Sequence, residues 1–296
     1  MILRQSLRLT SLCFVSSRPY SSTVRWRPLK ELQDGHLETF RAEAFAPSKP
    51  ALLPRKHLLE LPAVQKWFLA APNAHDESIS TLNRDYLSRF ENAIVPLEFT
   101  TLETNGEGIF HRAEVTFGIF LQWASFASRS IKDRLYLAQA SFASLPKAMT
   151  DDLPTPEIVS KVGTGDIYDT NIWMGMPPTY TPLHRDPNPN LFVQLAGTKV
   201  VRILEPSAGD QVFGRVQHAL ARSASASFRG EDMMKGSERK LLESAIWDDA
   251  YQTDREPAGY GVYVEAGDCL FIPKGWWHSI KGVGKGISAS VNWWFR

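Results

Sequence analysis

The sequence predicts a mainly β chain with helices in its N-terminal half and an all-β sandwich or barrel in its C-terminal half. Three observations lead there. From residue 166 onward, short apolar runs alternate with turn residues at 168–175, 190–196, 198–204, 260–264, 268–272 and 287–295, which is the rhythm of packed antiparallel strands. Before that point the chain mixes helical stripes and strands with prolines at 47, 50, 54, 62 and 72, and those prolines punctuate it into short elements. Its 296 residues, 43% hydrophobic and 22% charged, are enough to bury one large core.

In chain order, Leu58, Leu59, Leu61, Val64, Trp67 and Phe68 make one apolar stripe, the mark of a short amphipathic helix. Residues 93–100 read as a strand. Residues 115–128 are apolar at helical spacing, with Phe117, Phe120, Leu121 and Ala124 on one side, and 134–139 read as another strand. Between 205 and 259 the strand pattern lapses. There a helix is expected over 238–247, with Ser237 placed to cap it, and a mildly biased Ala- and Ser-rich run covers 219–228. This stretch is too long for a hairpin loop and reads as an elaboration at the rim, where loops commonly shape a substrate entrance. No internal repeat is visible.

Composition removes several function classes. No segment approaches the roughly 18 uncharged apolar residues of a membrane-spanning helix. The two cysteines, Cys13 and Cys269, support neither a disulfide framework nor a thiolate metal site. Residues 1–30 carry Arg4, Arg8, Arg18, Arg25, Arg27 and Lys30 with serines at 6, 11, 16, 17, 21 and 22, and the first acid is Glu31. An Arg- and Ser-rich, acid-free amphipathic start is the composition of a mitochondrial targeting segment, here expected over residues 1–20 and directing the chain to the matrix. A secretory signal built on residues 9–15 and a disordered cytosolic tail are the competing readings. Without residues 1–20 the chain keeps 30 basic against 32 acidic residues, so no general attraction to nucleic acid is expected.

The chemistry-bearing residues lie in the β half. His184-Arg185-Asp186 puts two hard ligands two residues apart, and in extended backbone positions i and i+2 project from one face. Pro187 and Pro189 end that strand. His278 follows Pro273-Lys274-Gly275-Trp276-Trp277, where a turn hands over to a strand, and it is the candidate third ligand. Two imidazoles and one carboxylate on one face leave coordination positions open, an arrangement suited to iron(II) and dioxygen. A His-x-Asp tripeptide alone is also compatible with ordinary structural residues, and the histidines at 36, 57, 75, 111 and 218 lie outside the pattern. Lys199 shares a strand face with Val201 and Ile203. If that face points inward, the buried ammonium needs an anionic partner, which a dicarboxylate would supply; otherwise Lys199 snorkels to solvent.

Residues from about 166 to 296 resemble the JmjC (cupin-like) 2-oxoglutarate oxygenases, and among them the small hydroxylases related to factor inhibiting HIF. The resemblance rests on Thr181-Pro-Leu-His184-Arg-Asp186, on Asn190-Leu-Phe-Val-Gln-Leu-Ala-Gly-Thr-Lys199, on Gly267-Asp268-Cys-Leu-Phe-Ile-Pro273 with Trp276-Trp277-His278, and on Val291-Asn292-Trp-Trp-Phe295. A weaker N-terminal likeness runs through Phe117 to Trp123 and Arg134-Leu-Tyr136-Leu-Ala-Gln139. The resemblance implies a double-stranded β-helix (jelly-roll) barrel within a single domain over 31–296. In it, 31–160 form the helical and strand N-terminal part, 166–296 the barrel core and 205–259 a rim insertion. It also implies iron(II) held by His184, Asp186 and His278, with 2-oxoglutarate as cosubstrate and dioxygen as oxidant. Lys199 then pairs with the distal carboxylate, Thr181, Asn190 and Tyr136 sit where cosubstrate hydrogen bonds are made, and Asn292 faces the pocket. The implied product is a hydroxylated protein side chain. Hydroxylation of a tRNA nucleoside and lysine demethylation are family alternatives, although nothing in the sequence resembles a histone-reading domain. A non-catalytic cupin-like binding module is the alternative of another class, and the oligomeric state stays open.

Overall fold

The computed structural model describes residues 26–71, 79–102, 108–126, 133–221, 234, 236–248 and 259–296. The expected targeting segment and the Ala/Ser-rich run beyond residue 221 lie outside them. The N-terminal half contributes strands β1 (Trp26–Pro28), β2 (Ala51–Leu52), β3 (Phe68–Ala70), β4 (Ser80–Leu82), β5 (Ile94–Leu102), β6 (Gly108–Thr116) and β7 (Asp133–Ser141). Its helices are α1 (Leu37–Phe40), α2 (Pro62–Trp67), α3 (Arg84–Leu87), α4 (Phe117–Phe126), α5 (Lys147–Thr150) and α6 (Glu157–Lys161). The C-terminal half adds β8 (Ile167–Gly175), β9 (Thr179–Arg185), β10 (Asn190–Ala196), β11 (Thr198–Leu204), α7 (Pro206–Ala219), α8 (Gly236–Trp247), β12 (Gly259–Val264), β13 (Cys269–Ile272), β14 (Trp277–Val283) and β15 (Ser288–Phe295).

The strands of this half divide between two facing sheets, changing sheet at every step except from β11 to β12, which pair as neighbours. One sheet runs β1-β12-β11-β14-β9 and the other β2-β13-β10-β15-β8-β7-β5-β6. Strands 8, 10, 13 and 15 therefore oppose 9, 11, 12 and 14, the double-stranded β-helix wind expected from the family resemblance. The N-terminal half continues the larger sheet through β7, β5 and β6 and supplies a short parallel strand, β1, to the smaller one.

Burial explains the strand composition. Every residue of β10 is buried, because its outer face packs on the helices of the N-terminal half while Phe192 faces the barrel interior with Val201, Ile203, Val262 and Ile272. A strand covered on both sides reads as a continuous apolar run rather than an alternation, as Leu191-Phe-Val does. A third apolar layer, made by Val212, Phe213, Leu242, Ile246 and Trp277, lies under α7 and α8 on the outside of the smaller sheet. Gly197 makes the β10–β11 turn at φ +62°, and a Cβ there would stand 2.6 Å from the Ile287 carbonyl oxygen, so only glycine fits.

Four expectations need correction. The stripe from Leu58 to Phe68 is helical only over α2, because Pro62 opens its first turn and Phe68, in β3, already pairs with Leu82. Residues 115 and 116 end the strand β6 instead of starting a helix, and α4 begins at Phe117; β6 escapes pattern reading because its exposed His111, Ala113 and Glu114 blur the alternation. Ser237 lies inside the first turn of α8, which starts at Gly236, and so is not its cap. The insertion also carries α7, whose face of Val212, Phe213 and Val216 is buried against the smaller sheet.

Candidate metal centre

His184 on β9 and His278 on β14 are direct cross-strand partners, so their rings stand side by side with centroids 4.2 Å apart. Asp186, just past the end of β9, completes the group: its oxygens lie 3.7 Å from His184 Nε2 and 3.6 Å from His278 Nε2. The three ligand atoms fall within 4.8 Å of one another, and all three residues are buried. Each ring is oriented by its other nitrogen. His184 Nδ1 is 2.8 Å from the Pro182 carbonyl and His278 Nδ1 is 3.2 Å from that of Trp276. With Nδ1–H donating to a carbonyl, the Nε2 lone pairs turn toward Asp186.

Electrostatics prepare the same state. Burial first, and the neighbouring His278 second, push His184 down to about 4 against the opposing pull of Asp186, so its imidazole is neutral and able to ligate at physiological pH. Burial alone would raise Asp186. The two histidines, with hydrogen bonds from Trp294 Nε1 and Asn190 Nδ2, each 2.9 Å from Oδ2, more than offset this and hold the carboxylate below its usual range. Two imidazole nitrogens and one fixed carboxylate are the donor set of a non-haem iron(II) facial triad. These residues fit the metal.

The triad opens onto a cavity of about 230 Å³. Its wall brings together Tyr136, Thr181, Asn190, Lys199 and Asn292, all expected at the site from the sequence, with the three ligands. Lys199 is 2% exposed on the inward face of β11, so the solvent-facing alternative does not hold. Its ammonium donates to Ser290 Oγ at 2.6 Å and stands 5.4 Å from the Phe192 ring centroid. It has no acidic partner among the described residues, and burial pulls it down from 10.5 to about 7. Tyr136 sits against Gly175 of β8, where a Cβ would come within 2.4 Å of the ring. Burial, then the charge of Glu98, push its phenol up against a weaker opposing hydrogen bond with Thr179, so it stays protonated.

The asparagines differ from the simplest expectation. Asn190 spends its amide on Asp186 and accepts at 3.0 Å from Asn292 Nδ2, so this pair braces a metal ligand as well as lining the wall. Sequence reasoning did not assign Ser290 as the lysine's partner or Trp294 as a donor to Asp186. The signal was present: in β15 the residues Ser288, Ser290, Asn292 and Trp294 alternate with Ala289, Val291, Trp293 and Phe295, and only the second set joins the apolar core behind the sheet. Gln139, another wall residue, sits at a register shift of β7 with φ +59°, and no local pattern announces it.

The family model for the cupin-like domain matches residues 37–296. Jumonji C domain-containing protein 5 of Drosophila melanogaster is 25% identical over 270 residues, covering 90% of this chain and 59% of that protein. Lysine-specific demethylase JMJ30 of Arabidopsis thaliana is 26% identical over 259 residues, covering 87% and 52%. Lysine-specific demethylase 8 of Danio rerio is 26% identical over 275 residues, covering 90% and 59%. The chain thus spans between about half and three fifths of the length of these relatives. With a two-sheet barrel and a buried His-Asp-His group lining its cavity, the chain belongs to the cupin-like domain family, in its JmjC form.

Proposed function

We propose that the protein is an iron(II)- and 2-oxoglutarate-dependent dioxygenase that hydroxylates a side chain of a protein substrate. One observation carries the reading: a buried ammonium with no acidic partner among the described residues lines the same cavity as a His-Asp-His triad. His184, Asp186 and His278 would hold iron(II), and Lys199 would pair with the distal carboxylate of 2-oxoglutarate. When bound, the metal and keto acid supply oxidation of a C–H bond by dioxygen, with succinate and carbon dioxide as co-products. The chain's own work is positional. Asn190 and Trp294 fix the Asp186 carboxylate, and the Pro182 and Trp276 carbonyls fix the imidazoles. Thr181 and Tyr136 offer neutral hydroxyls to the cosubstrate, while Trp173 and Trp294 take up wall space that water would otherwise fill. A binding module with no catalysis would not need a buried lysine facing a metal triad. The test is succinate formation by purified, iron-supplied protein and its loss in His184→Ala; equal turnover in both would overturn the metal assignment.

A second reading, lysine demethylation, draws on the names of two relatives. It also draws on the cavity wall, where the Asp169 carboxylate stands with Tyr168 and Trp173, groups able to face a cationic side chain. Hydroxylation of an N-methyl carbon releases formaldehyde, whereas hydroxylation of a stable C–H leaves a product 16 Da heavier, so formaldehyde release decides between the two. Co-purification of tRNA would favour a nucleic-acid substrate instead. Residues 1–20 would direct the protein to the mitochondrial matrix; a fusion of this segment to a fluorescent protein that stays cytosolic would contradict that.

A further inference from the structure

Four of the eight large hydrophobic side chains exposed among the described residues belong to one unit: Ile94 on β5, Ile109 on β6, and Ile119 and Phe126 on α4, between 42% and 54% exposed. Helix α4 has no charged residue, which is unusual for a helix with an outward face. Beside it, β6 is the last strand of the larger sheet, nine residues long, with its outer edge unpaired among the described residues. A long open edge is a template for another strand.

The sequence of that edge is self-complementary. Arg112 and Glu114 flank Ala113 on one face of β6, and neither makes an ion pair within the chain among the described residues. We propose that β6 pairs antiparallel with β6 of a second copy about a twofold axis through Ala113, joining two larger sheets into one. In this register Arg112 lies opposite Glu114 of the partner subunit and Glu114 lies opposite Arg112 of the partner subunit. Centring the pairing on Arg112 or on Glu114 would instead oppose like charges. The apolar residues fit the same register. Phe99 lines a groove with Ile119, Trp123 and Phe126 of α4, and its cross-strand partner is His111, so the odd-numbered residues of β6, Ile109 among them, share the face that carries α4. A twofold axis perpendicular to the sheet keeps both α4 helices on that face. It brings Ile109 alongside the first turn of the partner's α4, where the exposed Ile119 of the partner subunit would be covered. One patch serving both copies is an isologous interface, and a chain with net charge +1 adds little general repulsion to it.

The test is sedimentation velocity on the full chain over a concentration series. The wild type should form dimers. Glu114→Arg and Arg112→Glu should each weaken dimerisation on the order of tenfold or more, because every substitution counts twice across a twofold axis. The double swap, Arg112→Glu with Glu114→Arg, should restore it, and circular dichroism of each single variant should match the wild type. A wild type that stays monomeric, a dissociation constant unmoved by either single reversal, or a swap that fails to restore dimers would overturn the proposal.

Discussion

Two buried charges, Asp152 among the N-terminal helices and Lys199 in the barrel, have opposite surroundings. Asp152 is 3% exposed and accepts hydrogen bonds from Lys66 Nζ at 2.7 Å, Trp67 Nε1 at 2.9 Å and the Tyr86 hydroxyl at 2.6 Å. Burial alone would raise its pKa, and those three donors with the Lys66 charge hold it low instead. Lys199 is equally buried, yet one neutral hydroxyl is its single hydrogen-bond partner among the described residues, and its ammonium is destabilised. A buried charge surrounded by its counter-groups is a piece of architecture. A buried charge left without them is a site that folding alone does not complete, and on that difference rests the proposal that the cavity binds a carboxylate.

The largest expected effect is on the metal. His184→Ala and Asp186→Ala should each cut iron(II) affinity and succinate formation by on the order of 100-fold or more, read by metal content after dialysis and by product assay, while circular dichroism stays unchanged. The next effect separates the two charges. Asp152→Ala strands the Trp67 and Tyr86 donors and should cost about 2–4 kcal/mol, lowering Tm by roughly 5–15 °C without altering the metal centre. Lys199→Met, by contrast, should leave the Tm of the ligand-free protein equal or higher, since replacing an uncompensated buried charge with an apolar chain of similar volume is neutral or stabilising. A large fall in Tm for Lys199→Met would erase the distinction.

Titration sharpens it, because the two groups respond at opposite ends of the pH scale. The native pKa of Asp152 lies below its unfolded value. Its contribution to stability is therefore present above the unfolded value and is lost as pH falls through the native one. For Lys199 the native value of about 7 lies below the unfolded 10.5. Between those limits the unfolded chain holds the extra proton, so the ligand-free protein gains stability as pH rises from about 7. A dicarboxylate needs the protonated amine. Its affinity should therefore weaken about tenfold for each pH unit above about 7, and this slope should vanish in Lys199→Met. The smallest effect is expected from Trp294→Phe, which removes one donor to Asp186 and should lower metal affinity on the order of tenfold.

Much of this site was legible in sequence because its parts are local and directional. His184 and Asp186 are two residues apart on an extended segment, and Lys199 shares the parity of Val201 and Ile203, so the inward apolar face carries the lysine with it. The strands at 190–196 and 198–204 were bounded correctly because both end on turn residues. What stayed hidden depends on tertiary pairing. Nothing local states that β14 lies beside β9 with His278 opposite His184, or that Ser290 crosses the barrel to Lys199. β6 was missed because it is an edge strand whose exposed polar residues carry no inside–outside pattern, and α7 because its apolar face is completed only by α8 and the smaller sheet.

The most direct measurement is an anaerobic titration of 2-oxoglutarate into iron(II)-loaded wild type and Lys199→Met, followed by calorimetry and by the visible charge-transfer absorbance of an iron(II)–keto acid chelate. A buried lysine waiting for a carboxylate requires unchanged iron affinity and 2-oxoglutarate binding weakened on the order of 100-fold. Wild-type 2-oxoglutarate affinity in the variant would contradict that account, and so would a loss of iron binding as large as the loss of keto acid.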